Sequence, residues 1–479
     1  MGKKQTINLN PITISPVFKT ILADLDTPLS CFMKLKKDYP KEPAFLLESV
    51  EAKDRHGRFS FIGIAPFLTF RSKEHKVWLS GMINETIEVE NPFELLKTLM
   101  KSFNLQEMPQ ELRFPGGAVG FIGYDVIRFF ERMPNLKPKS LKIDDMYFVF
   151  PQQLVIFDNF THKMTLVVFS INGEDVTIAM EKLYNTVRKP FNYRKKGTFS
   201  FGSMISNTNE EEFKGIVAKA KEYICAGDIF QVVLSQRFCV DVGCDDINLY
   251  RALRVVNPSP YMFFLDFVDY SLIGSSPEIL VRLENGVVEV RPIAGTRRRG
   301  ETVEEDMLLE EELLADEKEL AEHVMLVDLG RNDVGRVAKV GTVKVPELKI
   351  IERYSHVMHI VSSVTGDLQE GLDAFDVFKA TFPAGTVSGA PKIRAMEIIE
   401  ELEKEKREFY AGGVGYFGYN GNMDFCITIR TMLKRGKKVY IQAGAGIVAD
   451  SVPENEYLET INKAKALMKS ITNLKEIIE

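Results

Sequence analysis

The clearest hydrophobic pattern lies between residues 319 and 333, where apolar and acidic positions share a predicted helix. One apolar stripe recurs at helical spacing and is formed by Leu313, Leu320, Val324 and Val327. Glu319 and Glu322 are three residues apart and share a second face with Leu326 and Leu329. Because the last turns are apolar on nearly every side, the pattern predicts a buried helix that carries two carboxylates.

A buried carboxylate costs several kcal/mol unless a metal ion, a cation or hydrogen bonds compensate for the lost water. The pattern leaves two interpretations open for the pair on this helix. Either Arg331 or a neighbouring lysine is the only partner, or the carboxylates hold a metal ion.

A second predicted helix near residue 460 repeats the acidic spacing. Ser451-Val-Pro-Glu454 fits a capping box, with Ser451 as the N-cap residue and Glu454 reaching back to it. Glu456, Glu459 and Lys463 follow at helical spacing. Two helices therefore each offer Glu-x-x-Glu, and a small set of carboxylate ligands completed by a substrate carboxylate suits Mg²⁺.

Two glycine-rich stretches, Gly116 to Tyr124 and Gly412 to Tyr419, are near copies of each other. Each is too rich in glycine for a helix and too apolar for an exposed loop, which predicts strands with close backbone approach. Their similarity suggests two sheets that use the same packing device in the two halves of the chain.

The order of elements favours an α+β fold. The basic stretch from 187 to 203 contains proline and glycine without periodicity and is the best linker, which gives an amino-terminal region 1–200 and a catalytic region 201–479. After it, strands and helices mix without regular βαβ alternation, which argues against a doubly wound sheet. The length of 479 residues fits two domains or one large interlocked unit.

Composition and charge narrow the function classes. The apolar fraction of 45% and charged fraction of 27% are typical of a globular protein, and the net charge of -6 gives no reason to expect a nucleic-acid partner. No long uncharged apolar run predicts a membrane span, and the residues Met-Gly-Lys-Lys-Gln-Thr lack the apolar core of a signal peptide. Five scattered cysteines fit reduced thiols, so we expect a cytoplasmic protein.

Three further features could carry chemistry. The loop from Gly385 to Pro391, which includes Thr386, precedes a predicted helix whose free N–H groups could bind an anion, or it is a tight structural turn. Glu278 follows a turn and could act as a general acid if burial raises its pKa. Arg430, in an alternating strand, could clamp a carboxylate or could be an ordinary surface residue.

Several long motifs in order closely resemble the chorismate-utilising enzymes, and among them the anthranilate synthase component I branch. They are Asp316-Glu-Lys-Glu-Leu-Ala-Glu-His, Val327-Asp-Leu-Gly-Arg-Asn-Asp, Pro292-Ile-Ala-Gly-Thr-Arg, Phe382-Pro-Ala-Gly-Thr-Val-Ser-Gly-Ala-Pro-Lys and Gln442-Ala-Gly-Ala-Gly-Ile. The resemblance is dense from about residue 205 onward and thinner before it, where Leu46-Leu-Glu-Ser resembles a tryptophan-binding element. It implies large packed antiparallel β-sheets flanked by helices, with the amino-terminal and catalytic segments partly interleaved.

The resemblance also implies roles for individual residues. Glu322 and Glu459 resemble the Mg²⁺ ligands, with Glu319 and Glu456 outside them. Glu278 resembles the acid that protonates the departing ring hydroxyl, and His359 the histidine tied to the later loss of pyruvate. The implied substrate contacts are Gly295, Thr296, Tyr410, Arg430, Gly444, Ala445, Gly446 and Lys463. The implied tryptophan feedback site comprises Ser49, Pro260, Tyr261 and Met262.

Two positions discriminate among branches of that family. Members that add water have a lysine base where this chain has Gln231, and aminodeoxychorismate synthases have a lysine where it has Ala294. A neutral amide cannot deprotonate water but can guide ammonia. The expected reaction therefore joins chorismate and ammonia and yields anthranilate and pyruvate, and we count Gln231 and Thr386 among the catalytic candidates.

The resemblance implies a separate source of ammonia. None of the cysteines sits in a Gly-x-Cys-x-Gly elbow of the glutaminase type. Ammonia would come from free solution or from a glutamine amidotransferase subunit, component II. Two alternatives stay open: an aminodeoxychorismate synthase component I, and a catalytically silent regulator that binds an amino acid. The two Glu-x-x-Glu helices disfavour the silent regulator.

Overall fold

The computed structural model describes residues 10–49, 58–106, 112–191, 199–354, 357–474 and 476. The middle of the predicted linker, residues 192–198, lies outside this part of the chain. Among the described residues, the helix before it ends at Arg188 and the strand after it begins at Ser200. No helix among the described residues is long and apolar enough to cross a membrane.

Helices are distributed along the whole chain. They are α1 Pro28–Asp38, α2 Pro92–Ser102, α3 Thr177–Arg188, α4 Glu210–Cys225, α5 Asp246–Val256, α6 Val303–Ala315, α7 Glu317–Gly335, α8 Ala374–Thr381, α9 Lys392–Leu402 and α10 Pro453–Thr472. Short 3-10 turns occupy Tyr124–Phe129 and Gly385–Val387. Several of the α-helices begin with a side-chain cap. At the start of α4, the Asn209 side chain accepts a hydrogen bond from the N–H of Glu212.

Strands, often several in succession, occupy the chain between these helices. In the first half they are β1 Ile12–Leu22, β2 Ala44–Glu48, β3 Phe59–Lys73, β4 Lys76–Gly81, β5 Glu85–Glu88, β6 Phe103–Leu105, β7 Gly117–Ile122, β8 Met146–Asp158, β9 Lys163–Ile171, β10 Ser200–Phe201, β11 Ile205–Ser206 and β12 Gln231–Gly243. In the second half they are β13 Tyr261–Asp266, β14 Ser271–Ser276, β15 Ile279–Glu284, β16 Val287–Val290, β17 Ile293–Arg298, β18 Lys344–Arg353, β19 Val357–Asp367, β20 Gly389–Ala390, β21 Gly413–Gly418, β22 Met423–Ile427, β23 Thr431–Arg435 and β24 Lys438–Ile447.

The two regions of the chain share their sheets, as expected. Strand β2 pairs with β13, and β7 pairs with β21, so amino-terminal strands are bonded directly to strands of the catalytic region. From β2 the pairing continues through β13, β14, β23 and β24 to β12. From β7 it continues through β21, β22, β15 and β16 to β19. All of these pairs are antiparallel. Strands β1 and β6, which lie outside these two runs, form a parallel pair.

Three hydrophobic clusters show how the layers pack. One cluster lies between the two runs of strands and contains Phe45, Phe121 and Phe263. A second joins strands to α2, α7 and α8, and a third joins strands to α1, α5 and α10. The core therefore consists of two packed sheet layers with helices on their outer faces, which confirms the predicted α+β class.

The prediction of two separate glycine-rich sheets is wrong. Strands β7 and β21 are antiparallel neighbours in one sheet, with Gly120 opposite Gly415. A Cβ atom on Gly120 would lie 1.8 Å from the carbonyl oxygen of Tyr147, and one on Gly415 would lie 2.0 Å from that of Asp424. Glycine is required because neighbouring backbones approach here more closely than a side chain permits.

The acidic stretch differs from the prediction in two ways. It forms two helices, because Asp316 ends α6 and caps α7, so Leu313 belongs to the helix before the carboxylates. Val324 is 40% exposed and does not join the buried face. The buried face of α7 consists of His323, Leu326, Val327, Gly330, Asp333 and Val334. The helix is thus amphipathic, with one side open.

The predicted capping box at α10 is also wrong. Val452 is the N-cap residue and its side chain makes no capping bond. The Ser451 hydroxyl instead accepts a hydrogen bond from the N–H of Val448, and Glu454 pairs with Lys214 on α4 at 3.5 Å. A proline at the first helical position starts this helix without a side-chain cap.

Candidate functional site

The predicted site residues come from distant parts of the chain and meet at one cleft. Gln231 begins β12, Gly444 to Gly446 end β24, and Glu278 joins β14 to β15. Thr296 on β17 lies opposite His359 on β19 in the strand register. The helices α7 and α10 bring the two Glu-x-x-Glu pairs. A continuous series of contacts, described next, connects these elements.

On α7, the two carboxylates contact the strands. The side-chain amide of Gln231 donates a hydrogen bond of 2.8 Å to Oε1 of Glu322. Burial and the neighbouring Glu322 charge raise the pKa of Glu319, while Arg297 at 3.6 Å opposes that rise. Arg331 pairs with Asp328 at 2.8 Å, so the interpretation in which Arg331 compensates the pair is wrong.

On α10, the acidic pair is bound to the glycine-rich end of β24. The Lys463 ammonium lies 2.5 Å from Glu459 and donates to the carbonyl oxygen of Gly444 at 2.9 Å. Burial raises the pKa of Glu456, and the nearby Glu459 charge adds to the effect. Glu459 is 45% exposed, so the pair lines an open cleft and is not buried in a core.

The carboxylates of the two helices are candidate ligands for a metal ion. The described part of the chain contains no cluster of three or more His, Cys, Asp and Glu side chains that could hold an ion by themselves. Glu322 and Glu459 are nevertheless hard oxygen donors on the cleft side of two helices. Mg²⁺ accepts such a set when water and a substrate carboxylate complete its shell, so the residues fit it.

Glycines at the end of β24 allow cleft side chains to approach the backbone closely. A Cβ atom on Gly444 would lie 2.8 Å from the Tyr410 hydroxyl, and one on Gly446 would lie 2.8 Å from Nε2 of Gln231. The Ala445 side chain points the other way and packs in the core with Leu234 and Ile399. Ala445 can therefore contribute to the cleft only through its backbone.

Glu278 is the most strongly perturbed carboxyl of the cleft. It is 8% exposed, and burial raises its pKa to about 7. The neighbouring Thr386 hydroxyl, the Arg430 guanidinium and the Lys463 ammonium act in the opposite direction. A carboxyl with this pKa holds its proton for a substantial fraction of the time near neutral pH, which is what a general acid requires.

The loop that carries Thr386 is a structural turn. The carbonyl oxygens of Ser388 and Ala390 accept hydrogen bonds from the N–H groups of Val233 and Phe230. The loop is thereby joined to the first residues of β12. Of the two interpretations from the sequence, the tight turn describes the loop itself, and Thr386 is the residue that it presents to Glu278.

Arg430 is not on a strand, which corrects the prediction. It lies in the connection between β22 and β23, and its φ of 50° is in the left-handed region. Its carbonyl oxygen accepts from the N–H of Ser275 at 3.1 Å. The guanidinium faces the Tyr410 hydroxyl and the Glu459 and Glu278 carboxyls, and burial lowers its pKa. It can bind a carboxylate by two parallel hydrogen bonds.

His359 is held in one orientation by β17. Its Nδ1 lies 2.9 Å from the carbonyl oxygen of Gly295 and 3.0 Å from the Thr296 hydroxyl. Burial lowers the pKa of the ring. Because a carbonyl oxygen can only accept, Nδ1 carries the proton, and Nε2 is left as an acceptor. Gly295 also lies near the Glu319 carboxylate, which connects this strand to α7.

The four residues predicted for an inhibitor meet in a second pocket. Ser49, Pro260, Tyr261 and Met262 line it together with residues that the sequence did not single out. The missed lining residues include Arg113, Tyr416 and Asp424. Arg113 precedes β7, Tyr416 lies on β21 and Asp424 lies on β22. No local motif joins them, so only the fold brings them together. The Ser49 hydroxyl is buried without a hydrogen-bond partner among the described residues.

Sequence comparison relates the chain to known proteins. The model of a family described as chorismate binding enzyme matches residues 42–469. Anthranilate synthase component 1 of Aquifex aeolicus is 51% identical over 98% of this chain and 96% of its own length. The protein of the same name from Acetivibrio thermocellus is 49% identical over 97% of this chain and 96% of its own.

Solved structures agree with that relationship. Anthranilate synthase component I from Streptococcus pneumoniae superposes with a TM-score of 0.78 at 40% identity, and the match covers 93% of this chain and 98% of that one. The menaquinone-specific isochorismate synthase of Escherichia coli gives a TM-score of 0.74 at 19% identity. The second match covers 98% of this chain and 96% of that one, and it shows the shared fold.

Proposed function

The chain belongs to the chorismate-binding enzyme family, and we propose that it is the aminase component of an anthranilate synthase. It converts chorismate and ammonia to anthranilate, pyruvate and water, as a step in tryptophan biosynthesis. Full-length identity of about half to proteins of that name supports this reaction. The site supports it independently through Gln231, the residue that we place beside the entering nucleophile.

The observation that carries the proposal is the environment of Gln231. Its Nε2 donates one of its two N–H groups to Glu322, and Oε1 is the acceptor end of the amide. That oxygen is buried and has no hydrogen-bond partner in the described part of the chain. It can accept an N–H of ammonia, which is already a nucleophile. It cannot remove a proton from water, because an amide is not a base at neutral pH.

The first half of the reaction needs an acid for the leaving group. Ammonia forms a bond to the ring carbon next to the carboxylate, and the ring hydroxyl leaves as water with a proton from Glu278. The raised pKa of Glu278, about 7, keeps that proton available. Arg430 supports binding of the enolpyruvyl carboxylate, and the backbone of Gly444 to Gly446 approaches the same part of the substrate.

Glu322 and Glu459 are the proposed Mg²⁺ ligands, with Glu319 and Glu456 beside them. The ion, when bound, supplies positive charge to the ring carboxylate of chorismate and orients it. Two protein carboxylates are a common set for Mg²⁺, which keeps water and substrate oxygens in its remaining positions. The proposal for the metal rests on the donor set and on the placement of both pairs at one cleft.

The second half of the reaction removes pyruvate. The aminated intermediate still carries its enolpyruvyl group. The bond from ring carbon to ether oxygen breaks, the ring loses a proton and becomes aromatic, and the departing enolpyruvate gains a proton at its methylene carbon to become pyruvate. Nε2 of neutral His359 is the acceptor that the cleft offers for such a proton transfer. Thr296 and Gly295, which are expected to contact the substrate, also hold the ring of His359.

The nitrogen source is a separate subunit or free ammonia. The relatives carry the designation component 1, which supports a second component, and we propose a glutamine amidotransferase for that role. The two subunits would form a hetero-oligomer in the cytoplasm. Neither a membrane nor a nucleic acid is needed for this reaction.

We also propose that tryptophan inhibits the enzyme through the second pocket. Two strand contacts lead from that pocket to the site. Met262 is paired with Ser275, whose N–H donates to the carbonyl oxygen of Arg430 at 3.1 Å. Cys426 lines the pocket, and the next residue, Ile427, donates its N–H to the carbonyl oxygen of Glu278 at 3.0 Å. A ligand that shifts these strands moves Arg430 and Glu278.

The two alternatives are less well supported. An aminodeoxychorismate synthase would have a lysine at position 294, where this chain has alanine. A silent regulator would not need a general acid with a pKa of about 7 beside two acidic pairs. The direct test is the appearance of anthranilate fluorescence from chorismate and an ammonium salt, with and without Mg²⁺. Consumption of chorismate without anthranilate would overturn the proposal.

A further inference from the structure

A buried ion pair outside the cleft touches several of the elements that build it. Arg407 is 1% exposed and Glu403 is 4% exposed. The Glu403 carboxylate accepts from Nε of Arg407 at 3.0 Å and from Nη2 at 2.6 Å. Nothing in the reaction described above uses either residue. A buried pair is rarely worth its desolvation for stability alone, because well-packed apolar residues do as well.

The remaining donors of Arg407 bind the backbone of two site elements. Nη1 donates to the carbonyl oxygen of Val387 at 2.6 Å, and Nη2 donates to that of Val233 at 2.6 Å. Val387 follows Thr386, the residue that faces Glu278. Val233 is two residues from Gln231 and is paired with Gly446. One planar guanidinium therefore fixes two elements. One is the turn that carries Thr386 beside the proposed acid Glu278, and the other is β12, which begins with Gln231, the proposed partner of ammonia.

The pair also fixes the wall of the cleft between these elements. Glu403 accepts from both the N–H and the hydroxyl of Ser235 at 2.8 Å, and Ser235 is paired with Gly444. The Arg407 guanidinium lies 5.4 Å from the centre of the Tyr410 ring, whose hydroxyl approaches Gly444. Contacts from one buried pair thus reach both sides of the proposed substrate.

We propose that Arg407 is a positioning residue that, with Glu403, holds the Thr386 turn, the start of β12 and Tyr410 in register for amination. The proposal rests on the proposed function. Arg407 does not touch chorismate. It acts through the relative placement of Gln231 and Glu278. Gln231 must face the entering ammonia, and Glu278 must face the hydroxyl group that leaves. An error of about 1 Å in such placement costs on the order of 100-fold in rate.

Two variants separate positioning from stability. Arg407→Lys keeps the charge and the pairing with Glu403, but a single ammonium cannot reach Val387, Val233 and Glu403 in one plane. In the double variant Arg407→Met with Glu403→Gln, both charges disappear together, and the glutamine oxygen still accepts from Ser235. No charge is left buried without a partner, so the fold is expected to persist.

A matched control involves the same helix, α9, whose C-cap residue is Glu403. Glu400 of α9 pairs with Arg128 at 2.6 Å, and in the described part of the chain the other hydrogen bonds of Arg128 go to Asp125 and Pro134, which are not cleft residues. Arg128→Lys tests what the loss of a guanidinium does to an ion pair beside the site. Its kcat is expected to remain that of the wild type, which would show that the Arg407 effect depends on its particular contacts.

The experiment measures kcat and KM for chorismate at saturating ammonium, together with the thermal unfolding midpoint. We expect both Arg407 variants to be folded at the assay temperature and to lose kcat by on the order of 100-fold, with KM changed by less than about threefold. Wild-type kcat in either variant, a raised KM at unchanged kcat, or a loss that matches the unfolded fraction would overturn the proposal. If the wild-type protein forms no anthranilate, the proposed function falls and this inference with it; if only the variants behave like wild type, this inference alone falls.

Discussion

The side-chain amide of Gln231 donates a 2.8 Å hydrogen bond to Glu322 and thereby joins the first residue of β12 to the acidic helix α7. The bond fixes the orientation of the amide. Nε2 uses one of its two N–H groups in this bond, and Oε1, an acceptor for N–H groups, has no hydrogen-bond partner among the described residues. The proposed nucleophile site and a proposed metal ligand are thus one hydrogen-bonded unit.

The metal assignment predicts the effect of removing single carboxylates. Glu322→Gln and Glu459→Gln should each lower kcat by at least about 100-fold with the fold intact, because an amide cannot supply the anionic ligand that Mg²⁺ prefers. Glu454→Gln is the control, since Glu454 lies on α10 but pairs with Lys214. Turnover with unchanged Mg²⁺ dependence in the two test variants would contradict the assignment.

The pKa of Glu278 predicts the pH dependence. Since the acid must be protonated to act, and burial raises its pKa to about 7, kcat/KM should fall as pH rises through about 7. The measurement needs a constant concentration of uncharged ammonia at each pH. In Glu278→Gln, activity should drop by about 10²- to 10⁴-fold and the alkaline fall should disappear. An unchanged profile in that variant would assign the acid to another group.

The role of His359 predicts a trapped intermediate. His359→Met removes the Nε2 acceptor, so loss of pyruvate should slow more than amination does. Chromatography of the reaction mixture should then show an aminated compound that retains its enolpyruvyl group. Chorismate consumption and anthranilate formation that fall in strict proportion would mean that His359 does not act in the second half.

The second pocket predicts a variant that escapes feedback. Ser49→Phe should fill the pocket and leave an active enzyme that tryptophan no longer inhibits. Linkage requires that chorismate weaken tryptophan binding by the same factor by which tryptophan weakens chorismate binding. Inhibition curves for the two proteins test this. Wild-type sensitivity in Ser49→Phe would place the inhibitor site elsewhere.

Sequence patterns predicted features that short-range chemistry determines and not which strands pair. The Glu-x-x-Glu helices and the close backbone approach of the glycine-rich strands follow from spacing and composition that the sequence shows directly. The pairing of β7 with β21 could not be predicted, because two glycine-rich strands carry no signal of which partner they have. The left-handed backbone of Arg430 was missed for a related reason. Alternation favours a strand, whereas β22 ends at Ile427 and β23 begins at Thr431, so Arg430 lies in the connection between them.

The site shows the same division. Glu-x-x-Glu spacing placed both acidic pairs on helices, and the family resemblance added the remaining roles. The burial of Arg407 with Glu403 was not predictable, since a Glu and an Arg four residues apart are ordinarily an exposed helix pair. Likewise, no motif joins Arg113, Tyr416 and Asp424, which meet only after the sheets have formed.

The nature of residue 231 gives a further prediction. Gln231→Lys should impair amination for two reasons. Lysine lacks the amide oxygen that accepts a hydrogen bond from ammonia, and the lysine ammonium competes for Glu322. The same lysine could admit some addition of water, as in family members with a base at this position. The products of this variant, separated by chromatography, should contain less anthranilate and a hydroxylated isomer of chorismate. Wild-type anthranilate yield from Gln231→Lys would show that the amide has no part in the reaction.

The most direct test of the central claim is the identity of the atom added to chorismate. Wild-type enzyme is incubated with chorismate, Mg²⁺ and ¹⁵N-labelled ammonium in ¹⁸O-labelled water, and the products are analysed by mass spectrometry. The account predicts anthranilate that contains ¹⁵N, equimolar pyruvate, and no ring product with ¹⁸O. A ring product that carries ¹⁸O, or an aminated product that keeps its enolpyruvyl group as the end point, would contradict it.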